Sequence, residues 1–302
     1  MRPARGQDRA GLTLVELLVA MTVTAIVGAA LIQIILAQNR SAGTNEAWRV
    51  ARAVSRGSLN RVLADFRIAE AEGVLDPAAA MSSTSITLRV PFAIGVACNT
   101  TVPLTASLLP VDNTLWAASV AGFAGFAWRD EASGTYRYRT TSTTVSTVGP
   151  AVCNAAGIAT LPASAGGGTA GRVVQLGAPS MGTAAPYASL VPTVGMNVLL
   201  LQQVRYRFAP SVALPGATAL WREVLSGTPI SEELAAPFDS TARFRFYVTG
   251  STLAQDAVPS PRTLTRGIEI HLDGLSETAP LGSTAPKRIG LTTSIFFKNR
   301  HD

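Results

Sequence analysis

The 302-residue sequence predicts an α+β fold in which one long amino-terminal helix, transmembrane in its first half, packs on an antiparallel β-sheet domain. Three observations predict it. Residues 12–37 form an almost unbroken apolar run, and helical spacing of small and apolar residues continues beyond that run. From Met81 onward, short alternating segments are separated by Gly, Pro, Ser and Thr, which is typical of antiparallel sheets.

The apolar run at residues 12–37 is long enough to cross a membrane. As a helix it would rise about 39 Å, whereas the hydrocarbon core of a bilayer is about 30 Å thick. Three arginines in the first 11 residues favour a cytoplasmic amino terminus. A secretory signal peptide is the alternative, but the run is longer than usual for one and carries Glu16 near its start.

A stripe of small and apolar residues extends the helical pattern past the membrane segment. The spacing predicts a single helix over 12–72, whose second half packs against a sheet. Gly43 and Gly57 are predicted weak points within it, and Gly73 ends the pattern. The stripe consists of Ala47, Ala51, Val54, Ser58, Val62, Phe66 and Ala69.

The remainder of the chain predicts ten strands joined by loops. The segments 97–113 and 148–171 are predicted to be loops. The predicted strands are 85–90, 115–120, 123–128, 135–141, 173–176, 198–208, 218–224, 243–248, 267–272 and 288–297.

The chain contains two cysteines, Cys98 and Cys153, one in each predicted loop. If the sheet domain is exported, the two can form a disulfide. Closing a loop of that length would stabilise the fold by about 4 kcal/mol in the chain-entropy model. Two unpaired buried thiols are the alternative.

The stretch from Gly11 to Ala20, Gly-Leu-Thr-Leu-Val-Glu-Leu-Leu-Val-Ala, resembles the class III signal of type IV pilins and pseudopilins. The resemblance covers about residues 2–40. It implies that prepilin peptidase cuts after Gly11 and methylates the new amino terminus at Leu12, where the family usually has Phe. It also implies that Glu16 pairs with the terminal amine of a neighbouring subunit in a filament. The alternative is a membrane helix in which Glu16 merely caps its own first turn.

A second resemblance covers about residues 198–300 and concerns the order of the later strands, which is similar to that of PilW-type minor pilins. The J-component pseudopilin of type II secretion is similar but shorter. The segments that carry the resemblance are 204–208, 220–223, 243–247, 267–271 and 293–300.

Three predicted strands alternate aromatic residues with arginines. If they share a sheet, their arginines would form a basic surface that could bind DNA phosphates or acidic polymers. A solvated face in which the arginines are paired with acids is the alternative. The arginines are Arg137, Arg139, Arg205, Arg207, Arg243 and Arg245.

Enzyme signatures are weak in this chain. A glycine-rich match at 166–171 lacks the strand before it and the helix after it that nucleotide binding needs. The two histidines, His271 and His301, are too few for a histidine-rich metal site. We therefore expect no catalytic residues, no cofactor and no metal.

The resemblances imply a minor pilin: a leader at 1–11, a transmembrane helix at 12–37, a periplasmic helical stem at 38–76 and a β-rich domain at 77–302. Its expected partners are prepilin peptidase, other pilins and minor pilins, and the inner-membrane pilus assembly platform. Its expected location is the inner membrane, as a single-pass protein, and then the surface pilus. The alternatives are a type II secretion pseudopilin and a pilus-anchored adhesin or DNA-binding module.

Overall fold

The computed structural model describes residues 13–68, 81–101, 103–131, 134, 136–139, 144–162, 169–177, 191–225, 230–261 and 264–297. Within these ranges the predicted fold class is confirmed, because a long helix is followed by an antiparallel sheet. The helices are α1 (Leu14–Ile68), α2 (Asn113–Ala121) and α3 (Ala151–Ala155). The strands are β1 (Ser85–Ala97), β2 (Leu104–Leu108), β3 (Phe123–Arg129), β4 (Tyr136–Arg139), β5 (Val145–Thr147), β6 (Val173–Leu176), β7 (Asn197–Pro210), β8 (Thr218–Val224), β9 (Ile230–Phe238), β10 (Arg243–Val248), β11 (Thr265–Leu275) and β12 (Arg288–Phe296).

Helix α1 runs for 55 residues without interruption. It passes through Gly43 and Gly57, so the prediction that these glycines weaken the helix is not reflected in a break. Both face open space, with no atom within 4 Å of a Cβ added to either. A glycine costs a helix only about 1 kcal/mol, and the flanking turns of a long helix compensate for it. Leu12 and residues 69–72, the predicted ends, lie outside the described residues.

The second half of α1 buries the predicted stripe against the sheet. Ala51, Val62 and Phe66 are fully buried, and Ala47 and Ser58 are nearly so. Ala69 lies outside the described residues. Small side chains early in the stripe let the helix backbone approach the sheet, and the larger ones later fill the hydrophobic core.

The closest approach between helix and sheet is at Gly274 of β11. A Cβ added there would lie 2.3 Å from Ser55 Oγ and 2.5 Å from the carbonyl oxygen of Ala51. The Gly274 N–H donates a hydrogen bond to Ser55 Oγ at 3.2 Å. Since any side chain at this position would collide with helix backbone, glycine is required here.

Strand β7 is the centre of the sheet. Along one edge it pairs with β1 from Asn197 to Arg207. Two strands pair with its other edge: β3 pairs with residues 198–202 of β7, and β8 pairs with residues 204–210 of β7. The sheet therefore has two ends. One contains β8 to β12, and the other contains β2 to β6.

Each end of the sheet has its own hydrophobic core. In the first, Phe66 of α1 packs on Tyr206 and Phe244, with ring centroids 5.8 and 6.5 Å away. In the second, Phe126 and Trp128 of β3 pack with residues of β1, β2, β6 and β7. Only the first core includes the helix, so α1 organises one half of the domain.

Several predicted elements were wrong. Residues 115–120 are helix α2 and not a strand, because the Asp112 side chain accepts the N–H groups of Thr114 and Leu115 and starts a helix. The predicted loop 97–113 contains β2, and the predicted loop 148–171 contains α3. Strands β5 and β9 were not predicted. In β9, the pair of glutamates and Pro237 conceal the alternation.

Candidate functional site

The first turn of α1 is closed by a reciprocal pair, Thr13 and Glu16. Glu16 Oε2 accepts the Thr13 N–H and the Thr13 hydroxyl, each at 2.9 Å. The Glu16 N–H donates to Thr13 Oγ1 at 3.3 Å. This is a capping box, in which the side chain at the N-cap and the one three residues later satisfy each other's backbone donors. In the single chain, Glu16 therefore caps its own helix.

The apolar part of α1 is exposed to solvent in the single chain. Leu14, Ile26 and Ile32 are 80%, 70% and 60% exposed, and none of the most apolar window of the helix is buried. The helix is long and apolar enough to cross a membrane. Such a surface is stable only when lipid or other protein covers it. Gly11 and Leu12, the predicted cleavage and methylation positions, lie outside the described residues.

Residues 7–32 match the family model of the prokaryotic N-terminal methylation motif. The matched range includes Gly11, Leu12 and Glu16, so the chain carries a prepilin-type signal. This signal supports a protein of the type IV pilin or pseudopilin family and implies processing by prepilin peptidase and assembly with other pilins. Together with the apolar helix, it is consistent with an inner-membrane anchor. No curated protein and no solved structure matches the chain.

A buried polar triad, Asp65–Tyr206–Arg222, links α1 to the sheet by hydrogen bonds. It was not predicted from the sequence. Asp65 Oδ2 accepts the Tyr206 hydroxyl at 2.5 Å and Arg222 Nε at 2.9 Å. The side chains of Asp65 and Arg222 are each only 11% exposed. One signal was available in the sequence, because Asp65 lies seven residues after Ser58 and therefore on the predicted buried stripe.

The electrostatics of the triad favour the charged Asp65–Arg222 pair. Burial and the Asp65 charge raise the pKa of Tyr206 far above its usual range, so Tyr206 stays a hydrogen-bond donor. Burial alone would lower the pKa of Arg222, but the charge of Asp65, the Tyr206 group and the hydrogen bonds to both together outweigh it, and the net shift is upward. The triad thus links α1 to β7 and β8 through buried polar contacts.

The six predicted arginines lie on three strands of one sheet, β4, β7 and β10, and these strands are not all neighbours. In the sheet order, β8, β9 and β11 lie between β7 and β10. Tyr206, Phe244 and Phe246 are buried as the alternation predicts. In β4, Arg137 is exposed and the tyrosines are half-buried, but Arg139 is buried. The arginines are therefore distributed over separate parts of the sheet.

Each of the other five arginines is paired with an acidic residue, and Glu223 and Asp256 are each shared by two arginines. Glu223 accepts Arg205 Nε at 2.6 Å and Arg207 Nε at 2.7 Å. Asp256 pairs with both Arg243 and Arg245 at 3.2 Å, and Asp130 pairs with Arg137 at 3.0 Å. Burial alone would raise the pKa of Glu223, but the hydrogen bonds from Arg207 and Arg205 hold it below its ordinary value. The alternative of a face with paired acids describes these strands better.

Cys98 and Cys153 form a disulfide with a sequence separation of 55 residues. Cys98 directly follows β1 and Cys153 lies in α3, so the bridge joins a strand end to a short helix and not two loops. With Val173, both cysteines form a small third hydrophobic cluster.

Removing the disulfide with the double substitution Cys98→Ala/Cys153→Ala is expected to lower the free energy of unfolding by about 4 kcal/mol, since the unfolded chain regains the entropy of the open loop. Denaturant titration of the full-length chain, with and without a reductant, measures the difference. A change below about 1 kcal/mol would contradict this prediction. The reductant should have no effect on the double variant.

The described residues contain no grouping of three or more His, Cys, Asp or Glu side chains that could hold a metal. His271 lies on β11, with Nε2 2.5 Å from Glu269 Oε1, and Glu269 also accepts the Tyr247 hydroxyl at 2.7 Å. The first contact lies within β11 and the second joins β10 to β11. The glycines of the rejected match at 166–168 lie outside the described residues.

Proposed function

We propose that the chain is a minor pilin: a structural, non-enzymatic subunit of the priming or tip complex of a type IV pilus. The observation that carries the proposal is the combination of the methylation motif at 7–32 with a single helix that continues from the apolar segment into a sheet-bound stem. One rigid helix thereby connects a membrane or filament core to a folded domain.

A PilW-type subunit is the particular minor pilin that we propose. The first four segments of the second resemblance fall on β7, β8, β10 and β11. The fifth segment begins on β12. Four of these strands surround the hydrophobic core that includes α1. The resemblance therefore concerns the half of the sheet that holds the helix.

In the proposed mechanism, Glu16 exchanges partners during assembly. In the single chain its carboxylate accepts two hydrogen bonds from Thr13. In a filament it would accept the methylated amine of Leu12 from a neighbouring subunit. That donor is positively charged, so the contact would be an ion pair as well as a hydrogen bond, whereas the Thr13 donors are neutral. The assembly platform of the inner membrane would present the subunits to each other.

Two other functions share part of this support. A type II secretion pseudopilin would use the same motif, helix and Glu16 exchange. An adhesin or DNA-binding module on a pilin anchor is less well supported, because the exposed arginines have acidic partners. Nucleic acid is the partner that a DNA-binding module would have.

The mature amino terminus is expected to be methylated Leu12. Mass spectrometry of the chain purified from membranes should show loss of residues 1–11 and the mass of one methyl group. A strain without prepilin peptidase should retain Met1. Cleavage after the apolar segment would show an ordinary signal peptide and contradict the proposal.

The location of the chain and the phenotype of its deletion distinguish a type IV pilus subunit from a type II secretion pseudopilin. Pili sheared from cells should contain the processed chain, and its deletion should reduce surface pili while leaving secreted enzymes unchanged. The opposite pattern, normal pili with lost secretion, would establish the pseudopilin alternative.

A further inference from the structure

The loop between β11 and β12, residues 276–287, extends along α1 toward the amino-terminal apolar segment of the helix. Strand β11 meets the helix at Ala51, where Gly274 contacts it. The loop then reaches Arg40: a Cβ added to Gly282 would lie 3.6 Å from both Cδ and Nε of Arg40. Since a helix rises 1.5 Å per residue, the loop extends about 16 Å further toward the amino terminus.

The level of Arg40 is close to the membrane surface. The apolar run ends at Ala37, and the polar residues Gln38 and Asn39 separate it from Arg40. Arg40 therefore lies about 4–5 Å past the end of the run, and helical side chains tilt toward the amino terminus. The headgroup layer adds about 5–8 Å on each side of the hydrocarbon core. Gly282 is consequently at headgroup depth when residues 12–37 span the membrane.

The loop presents one apolar side chain, Leu281, at this level. Leu281 is 63% exposed, whereas its neighbour Pro280 is buried. Residues 278–286 contain no charged side chain. Gly282 has a φ of +85°, which turns the chain directly after Leu281. Nothing in this segment therefore opposes contact with lipid.

Hydrogen bonds hold the loop in shape. At its neck, the Ser276 N–H donates to the Lys287 carbonyl at 2.8 Å, and the Lys287 N–H donates to Ser276 Oγ at 2.9 Å. At its tip, the Ser283 N–H donates to the Pro280 carbonyl at 2.9 Å. Leu281 is thus displayed by a fixed turn.

We propose that this loop is a second membrane contact, with Leu281 inserted into the phospholipid headgroup layer beside α1 before the subunit enters a filament. Amphipathic surfaces bind there through apolar side chains flanked by cations, and Arg40 is the cation at this level. The contact fixes the tilt and rotation of the sheet domain over the bilayer. It rests on the proposed membrane anchorage of α1.

Spin labels on the full-length chain test the contact. The variant Leu281→Cys is compared with Leu253→Cys. Leu253 is 78% exposed and lies in the loop between β10 and β11, which is at the other end of β11. The native cysteines are paired, so each new thiol takes the nitroxide alone. In vesicles of phosphatidylethanolamine and phosphatidylglycerol, the label at 281 should lose access to a water-soluble nickel chelate and gain collisions with oxygen. The label at 253 should do neither.

Each outcome decides the proposal. Thr284→Cys, also exposed in the loop, provides a second label if the first variant does not fold. Equal nickel access at 281, 284 and 253 on chain that floats with the vesicles would overturn the lipid contact and leave the membrane anchor intact. Protection at 281 that appears only after other pilins are added would overturn it in favour of a subunit contact. Chain that fails to float would overturn the anchorage itself.

Discussion

Replacing Asp65 with alanine is expected to lower the free energy of unfolding by about 3–5 kcal/mol, because removal of one partner leaves the buried Arg222 charge unpaired. Asp65 also accepts the buried Tyr206 hydroxyl, so the same substitution leaves a second polar group without its partner. Guanidinium titration of the full-length chain in detergent micelles, followed by tryptophan fluorescence, measures the loss.

Two control variants show whether burial causes the effect. Glu46→Ala removes a partner of Arg49 from the same helix, but those side chains are 56% and 79% exposed. That loss should be about 0.5 kcal/mol or less. The double variant Asp65→Ala/Arg222→Leu removes both charges and should be more stable than Asp65→Ala alone. Equal losses of unfolding free energy for Asp65→Ala and Glu46→Ala would contradict a stabilising role of the buried triad.

Replacing Glu16 with alanine is expected to reduce the amount of chain in sheared pili by about tenfold or more, since the charge-assisted hydrogen bond to a neighbour's amine is lost. The variant should still be cleaved and inserted into the membrane. Quantitative mass spectrometry of sheared pili and membranes gives the ratio.

Thr13→Val distinguishes assembly from helix capping. It removes the capping hydroxyl that Glu16 accepts, but leaves the carboxylate available to a neighbouring subunit. If capping were the whole role of Glu16, Thr13→Val should also lower incorporation, since it removes two of the three capping hydrogen bonds. Under partner exchange, only Glu16→Ala should do so.

The parts of the molecule that depend on local pattern could be predicted from the sequence. The periodicity of Ala47, Ala51, Val62 and Phe66 gave both the helix and its buried face. Glu16 stood out because a carboxylate is rare in an apolar run. Helix α2 was missed because a short apolar segment fits either a helix or a strand, and its deciding feature is the single capping side chain of Asp112.

Contacts between distant segments could not be predicted. Asp65 meets Tyr206 and Arg222 across 141 and 157 residues of sequence. Arg205 has an acidic partner because the β7–β8 register places it opposite Glu223. Strand order and register decide both contacts, and neither is encoded in a local pattern. For the same reason the acidic partners of the arginines could not be predicted, although the alternation on β7 and β10 was right.

The contact of Gly274 with Ala51 and Ser55 has a mechanical consequence. A filament under tension would pull along α1, while the sheet domain would be held by its neighbours. The force would then act in shear on the Gly274 contact, the Asp65–Arg222 pair and the Phe66 core together. Contacts loaded in parallel share the force, whereas contacts peeled one after another each bear it in full. If the chain is the pilus subunit proposed above, this arrangement would favour resistance to extension.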